Sequence, residues 1–74
     1  MTICDMKRGS RAVVLKVEQP VAVWERLRSY GIYTGTKITL LRVSMFKKTY
    51  LLQVGSTRVA LGRSVAAGIR VWTT

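Results

Sequence analysis

The sequence predicts a mainly β domain, a small barrel of five short antiparallel strands with one helix between the first two and a short helical turn before the last. Three observations predict it. Apolar residues alternate over short runs, as in Tyr50, Leu52 and Val54 and again in Val59 and Leu61. Glycine pairs with a small or polar residue between those runs, as at Gly55-Ser56. Helical spacing is sustained at one stretch only, where Val23, Leu27 and Tyr30 share a face.

Taken in order, Ile3, Met6 and Gly9 are spaced three apart, which suits a turn of helix or an extended lead-in tucked under the fold. Arg11 to Glu18 alternates, with Val13, Leu15 and Val17 on one face and Lys16 and Glu18 on the other. Pro20 is placed to open a helix over Val21 to Tyr30. Gly31 then suits the left-handed residue that closes it, with Ile32 folding back on the apolar face. Gly35 suits a turn position of positive φ. Thr36 to Ser44 reads as the second strand; Ile38 and Leu40 face one way and Leu41 and Val43 the other, which predicts a bulge or bend. Met45-Phe46-Lys47-Lys48 is a loop with two apolar residues at its tip. Thr49 to Val54 and Thr57 to Leu61 form a hairpin across a two-residue type II′ turn. Gly62 to Ala67 reads as one helical turn stopped by Gly68, and Ile69 to Trp72 as the last strand, with Ile69 and Val71 inward. One helix corking a five-stranded antiparallel meander describes an SH3-like small barrel, and closure would hide strand edges that a flat sheet leaves exposed.

With 74 residues the chain is read as one domain over 1–74, near the lower limit for a self-sufficient core. About a dozen buried aliphatic side chains at ~1.5–3 kcal/mol each are needed against chain entropy. A hydrophobic share of 49% supplies them. The charge balance is strongly basic: 13 Lys and Arg against 3 Asp and Glu, for a net +10. Such a field favours nucleic acid, an anionic membrane face or an acidic protein surface. A single cysteine, Cys4, excludes an intrachain disulfide, and Asp5 interrupts the start where a signal peptide would be apolar. The expected setting is the cytoplasm.

Three pieces of the sequence resemble one family. The lead-in Ile3-Cys4-Asp5-Met6-Lys7-Arg8-Gly9 is similar to the opening of ferrous iron transport protein A (FeoA), the small cytosolic component of bacterial ferrous iron uptake. The segment from Arg26 to Ile38 resembles its central signature, a helix meeting Gly-apolar and then a glycine turn. The tail from Val59 to Val71 resembles its close, an alanine turn leading into Ile-x-Val. Thr34 stands where the family usually has proline, and Arg28 and Tyr30 where leucines are common, so the helix surface departs from the pattern. The resemblance implies an accessory that binds and regulates the cytosolic part of the membrane ferrous iron permease with its GTP-binding domain. It also implies contact with the membrane only through that partner. The same fold occurs as an appended domain in metal-dependent repressors, so an interaction module of that type is one alternative.

The chemistry of the residues agrees with a binding role. No histidine is present, and Cys4, Asp5, Glu18 and Glu25 show no metal-ligand spacing, so no metal site or cofactor is expected. No Ser/His/Asp set, paired carboxylates or phosphate loop can be assembled, so no enzyme is expected. An arginine supplied in trans to a GTPase has Arg26, Arg28, Arg58 and Arg63 as candidates, with solvated surface charge as the plain reading. The partner-binding candidates are Trp24, Arg26 and Arg28 on the helix and Met45, Phe46, Lys47 and Lys48 on the loop, since exposed aromatics beside Arg or Lys are hot-spot material. Tyr30 is expected in the core, and Trp72 either caps the barrel or faces a second subunit, which leaves a homo-oligomer open. The rival class is a small basic barrel that binds nucleic acid. The alternation turns Tyr50 inward and the charge is spread along the chain, so no specific nucleic acid is expected.

Overall fold

The computed structural model describes residues 1–73. A 3-10 turn at Ile3–Asp5 leads into strand β1 (Arg11–Val17), helix α1 (Val21–Ser29) and strand β2 (Lys37–Val43). A second 3-10 turn at Met45–Lys47 precedes β3 (Thr49–Val54) and β4 (Thr57–Gly62), and helix α2 (Arg63–Ala67) leads to β5 (Ile69–Thr73). All five strands join one antiparallel sheet in the order β4-β3-β2-β1-β5. The mainly β, SH3-like layout expected from the sequence is therefore the one observed.

The bend of the sheet lies in its two central strands. β1 and β2 pair only over Arg11–Val13 against Lys37–Thr39. Beyond that short zipper β1 follows β5 and β2 follows β3. Each central strand carries a register shift, between Val14 and Lys16 in β1 and between Leu40 and Arg42 in β2. A bulge adds one unpaired residue and sharpens the local twist. Here it also switches which residues face inward. In β2 the inward set passes from Ile38 and Leu40 to Val43, as the doubled apolar pattern predicts. In β1 it passes from Ala12 and Val14 to Val17. This corrects the face read from the sequence. Val13 is only half-buried and Leu15 is 50% exposed, because the apparent Val13-Leu15-Val17 face spans the bulge and has two phases.

Every strand contributes to one core, which holds Val14, Leu40, Leu52, Val59 and Ile69 among others. Ile3 and Met6 are buried beneath it, as expected of the lead-in. Thr2 bridges to Arg70 and Val71 N–H donates to the Met1 carbonyl at 3.0 Å, so the lead-in lines the free side of β5. Tyr50 is 2% exposed, and burial pushes its hydroxyl pKa up, with Cys4 adding to the rise. At the hairpin Gly55 has φ +60 and Ser56 does not share a positive φ, which is the type II′ arrangement.

α1 attaches lightly. Leu27 is its one fully buried side chain, with Val23 packed partly against the core. Its end is closed by two backbone bonds, Gly31 N–H to the Arg28 carbonyl (3.0 Å) and Ile32 N–H to the Leu27 carbonyl (2.9 Å). That pair of bonds, with Gly31 at φ +89, is the Schellman motif, and Leu27 and Ile32 form its buried contact. Tyr30 caps this end at φ −87, ψ 0 and is 43% exposed, so the expected core role for Tyr30 does not hold. Three residues on from Leu27 is near the helix face but past its last turn, where the chain already swings outward.

Gly68 stops α2 for a further reason than helix closure. A Cβ there would lie 2.8 Å from the Glu18 carbonyl and closer still to the Gln19 amide. That closeness exists because Glu18 N–H donates to the Gly68 carbonyl (2.6 Å) and Gln19 Nε2 to the Val65 carbonyl (2.8 Å). Gly68→Ala is therefore expected to destabilise the fold by about 1–3 kcal/mol in denaturant unfolding, as overpacking does. Gly62→Ala, which meets no atom within 4 Å, is expected to cost far less.

Glu18 also pairs with Arg70 across β1 and β5, and that guanidinium holds its carboxyl below the usual glutamate range. A lowered folded-state value stabilises above the unfolded pKa, and the effect is lost as pH falls through the folded value. Both side chains are exposed, so the effect is small. Glu18→Gln is expected to lower the melting temperature slightly at neutral and alkaline pH and to leave it nearly unchanged at acid pH, so that the acid-side fall is flatter.

Candidate interaction surface

Leu27 faces inward, and Trp24 and Arg28, one turn apart, lie along the exposed flank of α1 beside it. The Arg28 guanidinium lies 5.5 Å from the centroid of the Trp24 ring, within cation–π range. Trp24 is 36% exposed, so neither full packing on the barrel nor a free indole describes it. Tyr33 and Thr34 complete a shallow hollow with this pair.

The turn that carries Tyr33 is pinned to the sheet. Gly35 sits at φ +92, as its turn position requires, and its N–H donates to the Val14 carbonyl at 2.7 Å. Thr36 N–H donates to the Tyr33 carbonyl (3.0 Å), while Thr36 Oγ1 donates to the Gly31 carbonyl (2.9 Å). Tyr33 is 50% exposed on this fixed turn. Tyr30 and Tyr33 then flank a second cleft with Lys37 and the Gly55–Thr57 turn. Arg58, beside Tyr30, donates from Nε to Gln53 Oε1 at 3.3 Å. Trp24, Tyr33 and Tyr30 thus form a row around the end of α1 with arginine or lysine beside each.

Arg26 lies apart from Trp24 and Arg28. It borders a hollow formed by Val23, Leu27, Ala60 and Val65. Met45, Phe46, Lys47 and Lys48 form a separate feature at the β2–β3 connection. Ser44 pins its base: Ser44 Oγ accepts from Thr49 N–H (2.8 Å) and Lys48 N–H (3.2 Å), and Ser44 N–H donates to the Thr49 carbonyl (2.9 Å). Arg63 N–H holds the Lys48 carbonyl at 3.0 Å. Above this base Met45 is 80% and Phe46 79% exposed. Phe46 (φ +66, ψ +14) and Lys47 (φ +54) are both left-handed, a conformation costly for side chains other than glycine.

The structure therefore divides the seven sequence candidates into Trp24 with Arg28, the loop quartet, and Arg26. Sequence reasoning missed Tyr30 and Tyr33. The signal for them was position: Tyr30 is the residue before the closing glycine, and Tyr33 opens the next turn. Trp72 is 68% exposed and does not cap the sheet. Asp5 Oδ2 accepts from Thr2 N–H at 2.9 Å, and the Cys4 thiol is 3.6 Å from the Arg63 carbonyl oxygen. Among the described residues no three His, Cys, Asp or Glu side chains gather as a metal would require, and no helix is long and apolar enough to cross a membrane.

Replacing Phe46 by glycine relieves the left-handed penalty at an exposed site. Phe46→Gly is expected to raise unfolding stability by about 1 kcal/mol, measured in denaturant, although it deletes the largest side chain of the loop.

Comparison with known proteins gives the chain its relatives. The FeoA-domain family model matches residues 1–72. The solution structure of the FeoA protein from Chlorobium tepidum superposes with a TM-score of 0.93 at 29% identity, over 99% of this chain and 70% of that one. The crystal structure of an iron uptake regulatory protein (FeoA) superposes at 0.87 with 22% identity, over 100% and 96% of the two chains. A manganese-dependent transcriptional repressor carries the same fold, at 0.90 and 19% identity, over 100% of this chain and 41% of its own. Comparison with curated proteins finds no match. With its five-stranded fold and a family match spanning nearly its whole length, the chain belongs to the FeoA domain family.

Proposed function

We propose that this chain is a cytosolic accessory of bacterial ferrous iron uptake that binds and regulates the cytosolic part of a GTP-binding iron permease. The observation that carries this reading is the FeoA-domain match over residues 1–72. The Trp24–Arg28 pair, with Tyr33 on its pinned turn, is the contact. A partly exposed tryptophan already held against an arginine has less side-chain freedom to lose on binding, which is how hot spots gain affinity. The chain works by contact and carries out no reaction.

A second reading has one observation behind it. Trp24, Tyr30 and Tyr33 are all partly exposed beside basic side chains, which suits stacking by single-stranded nucleic acid.

One titration separates the two. Binding of the purified chain to the permease's cytosolic domain, with and without guanine nucleotide, is expected to weaken at least about tenfold in Trp24→Ala and in Arg28→Ala, with unfolding midpoints nearly unchanged. Full affinity in both variants contradicts the contact. A single-stranded oligonucleotide is expected to bind only weakly at physiological ionic strength, and tight, steeply salt-dependent binding lost in Trp24→Ala favours the second reading.

A further inference from the structure

We propose that the Met45–Lys48 loop is a finger that docks directly on an anionic lipid surface. This inference is independent of the permease reading and departs from the expectation that the chain meets a membrane only through its partner.

Three features of the loop carry it. Its two apolar side chains are the most exposed large hydrophobics among the described residues, at 80% and 79%, and they are adjacent. The base beneath them is fixed by Ser44 and by Arg63 N–H, so insertion would order little further chain. Lys47 and Lys48 follow directly, and the sequence from Arg26 to Thr74 holds nine Lys and Arg and no Asp or Glu. Phe46 and Lys47 keep left-handed backbones there, a cost that an exposed loop free of function has no reason to carry.

The charge commits the occupant to an anion, and the apolar tip narrows it. A bilayer with acidic lipids offers hydrocarbon immediately beneath a layer of negative headgroups. Met45 and Phe46 can enter the acyl boundary while Lys47 and Lys48 remain at headgroup depth, long stems along the interface and ammonium groups in water. No preformed pocket is needed. A nucleic acid would satisfy the lysines but leave Met45 without an apolar layer.

The test is sedimentation of the purified chain with vesicles of phosphatidylcholine alone and of phosphatidylcholine mixed with phosphatidylserine. Wild type is expected to partition onto the mixed vesicles only. Met45→Ser/Phe46→Ser is expected to lose about tenfold or more. Lys47→Glu/Lys48→Glu is expected to lose about 25-fold or more, from about fivefold for each lysine. Lys7→Glu/Lys16→Glu, which changes the net charge equally, is expected to lose much less. Thermal unfolding of each variant shows that it is folded. No partition onto the mixed vesicles overturns the proposal. So does unchanged partition of Met45→Ser/Phe46→Ser, or an equal loss in the Lys7/Lys16 variant, which would mean adhesion by net charge alone. An oligonucleotide whose affinity falls in Met45→Ser/Phe46→Ser, while vesicle binding does not, also overturns it and gives the loop to nucleic acid.

Discussion

The architecture depends on the parting of two neighbouring strands. β1 and β2 hold together over three residue pairs and then diverge, each bent at a bulge, at Leu15 in one and Leu41 in the other. A flat sheet of this size would expose one face and two edges. The curl lets residues of all five strands meet in a single core, and the switch of phase at each bulge keeps both halves of each central strand turned inward. A core this small cannot lose many members, which is why the lead-in adds Ile3 and Met6 and the turn after α1 adds Ile32.

The same economy sets what the molecule can offer a partner. Leu27, with Val23 beside it, and the closing glycine hold α1, and the flank of the helix next to Leu27 stays partly exposed. Trp24 and Arg28 occupy it, and the hydrogen-bonded turn at Tyr33–Thr36 extends it. The β2–β3 loop is a second and separate feature, anchored by backbone and serine bonds and contributing no fully buried side chain. On the proposed reading both outgrowths are contact surfaces. The acids are few and already engaged in part, Asp5 at the lead-in and Glu18 with Arg70, so the basic field is little offset.

Much of this was legible in the chain. The hairpin, the closing Gly31, the positive φ of Gly35 and the bend of β2 each left a local signature, because turn geometry and doubled apolar patterns are properties of a few adjacent residues. The bulge in β1 was not legible. Ala12-Val13-Val14-Leu15 is apolar throughout, so alternation cannot show which phase is inward until Val71 and Ile69 fix the register from far along the sequence. Tyr30 misled for a related reason: three-residue spacing places it on the helix face only if the helix continues, and Gly31 ends it. The approach of Gly68 to Glu18 is a contact across 50 residues and has no local trace. Of the surface, the residue types were visible and their grouping was not. Arg26 parts from Arg28, and Tyr33 joins Trp24, only once the chain has turned.

In the proposed contact the chain presents the exposed flank of α1 to a protein partner. The two indoles report on it directly, Trp24 within that surface and Trp72 on β5 outside it. Titrating isotope-labelled chain with the cytosolic domain of the permease, and following both indole N–H resonances by NMR, is the most direct measurement. With that contact the Trp24 resonance is expected to shift or broaden together with the amides of Arg28 and Tyr33, while Trp72 stays in place. A response at Trp72 and the β5 amides with Trp24 unmoved would contradict it.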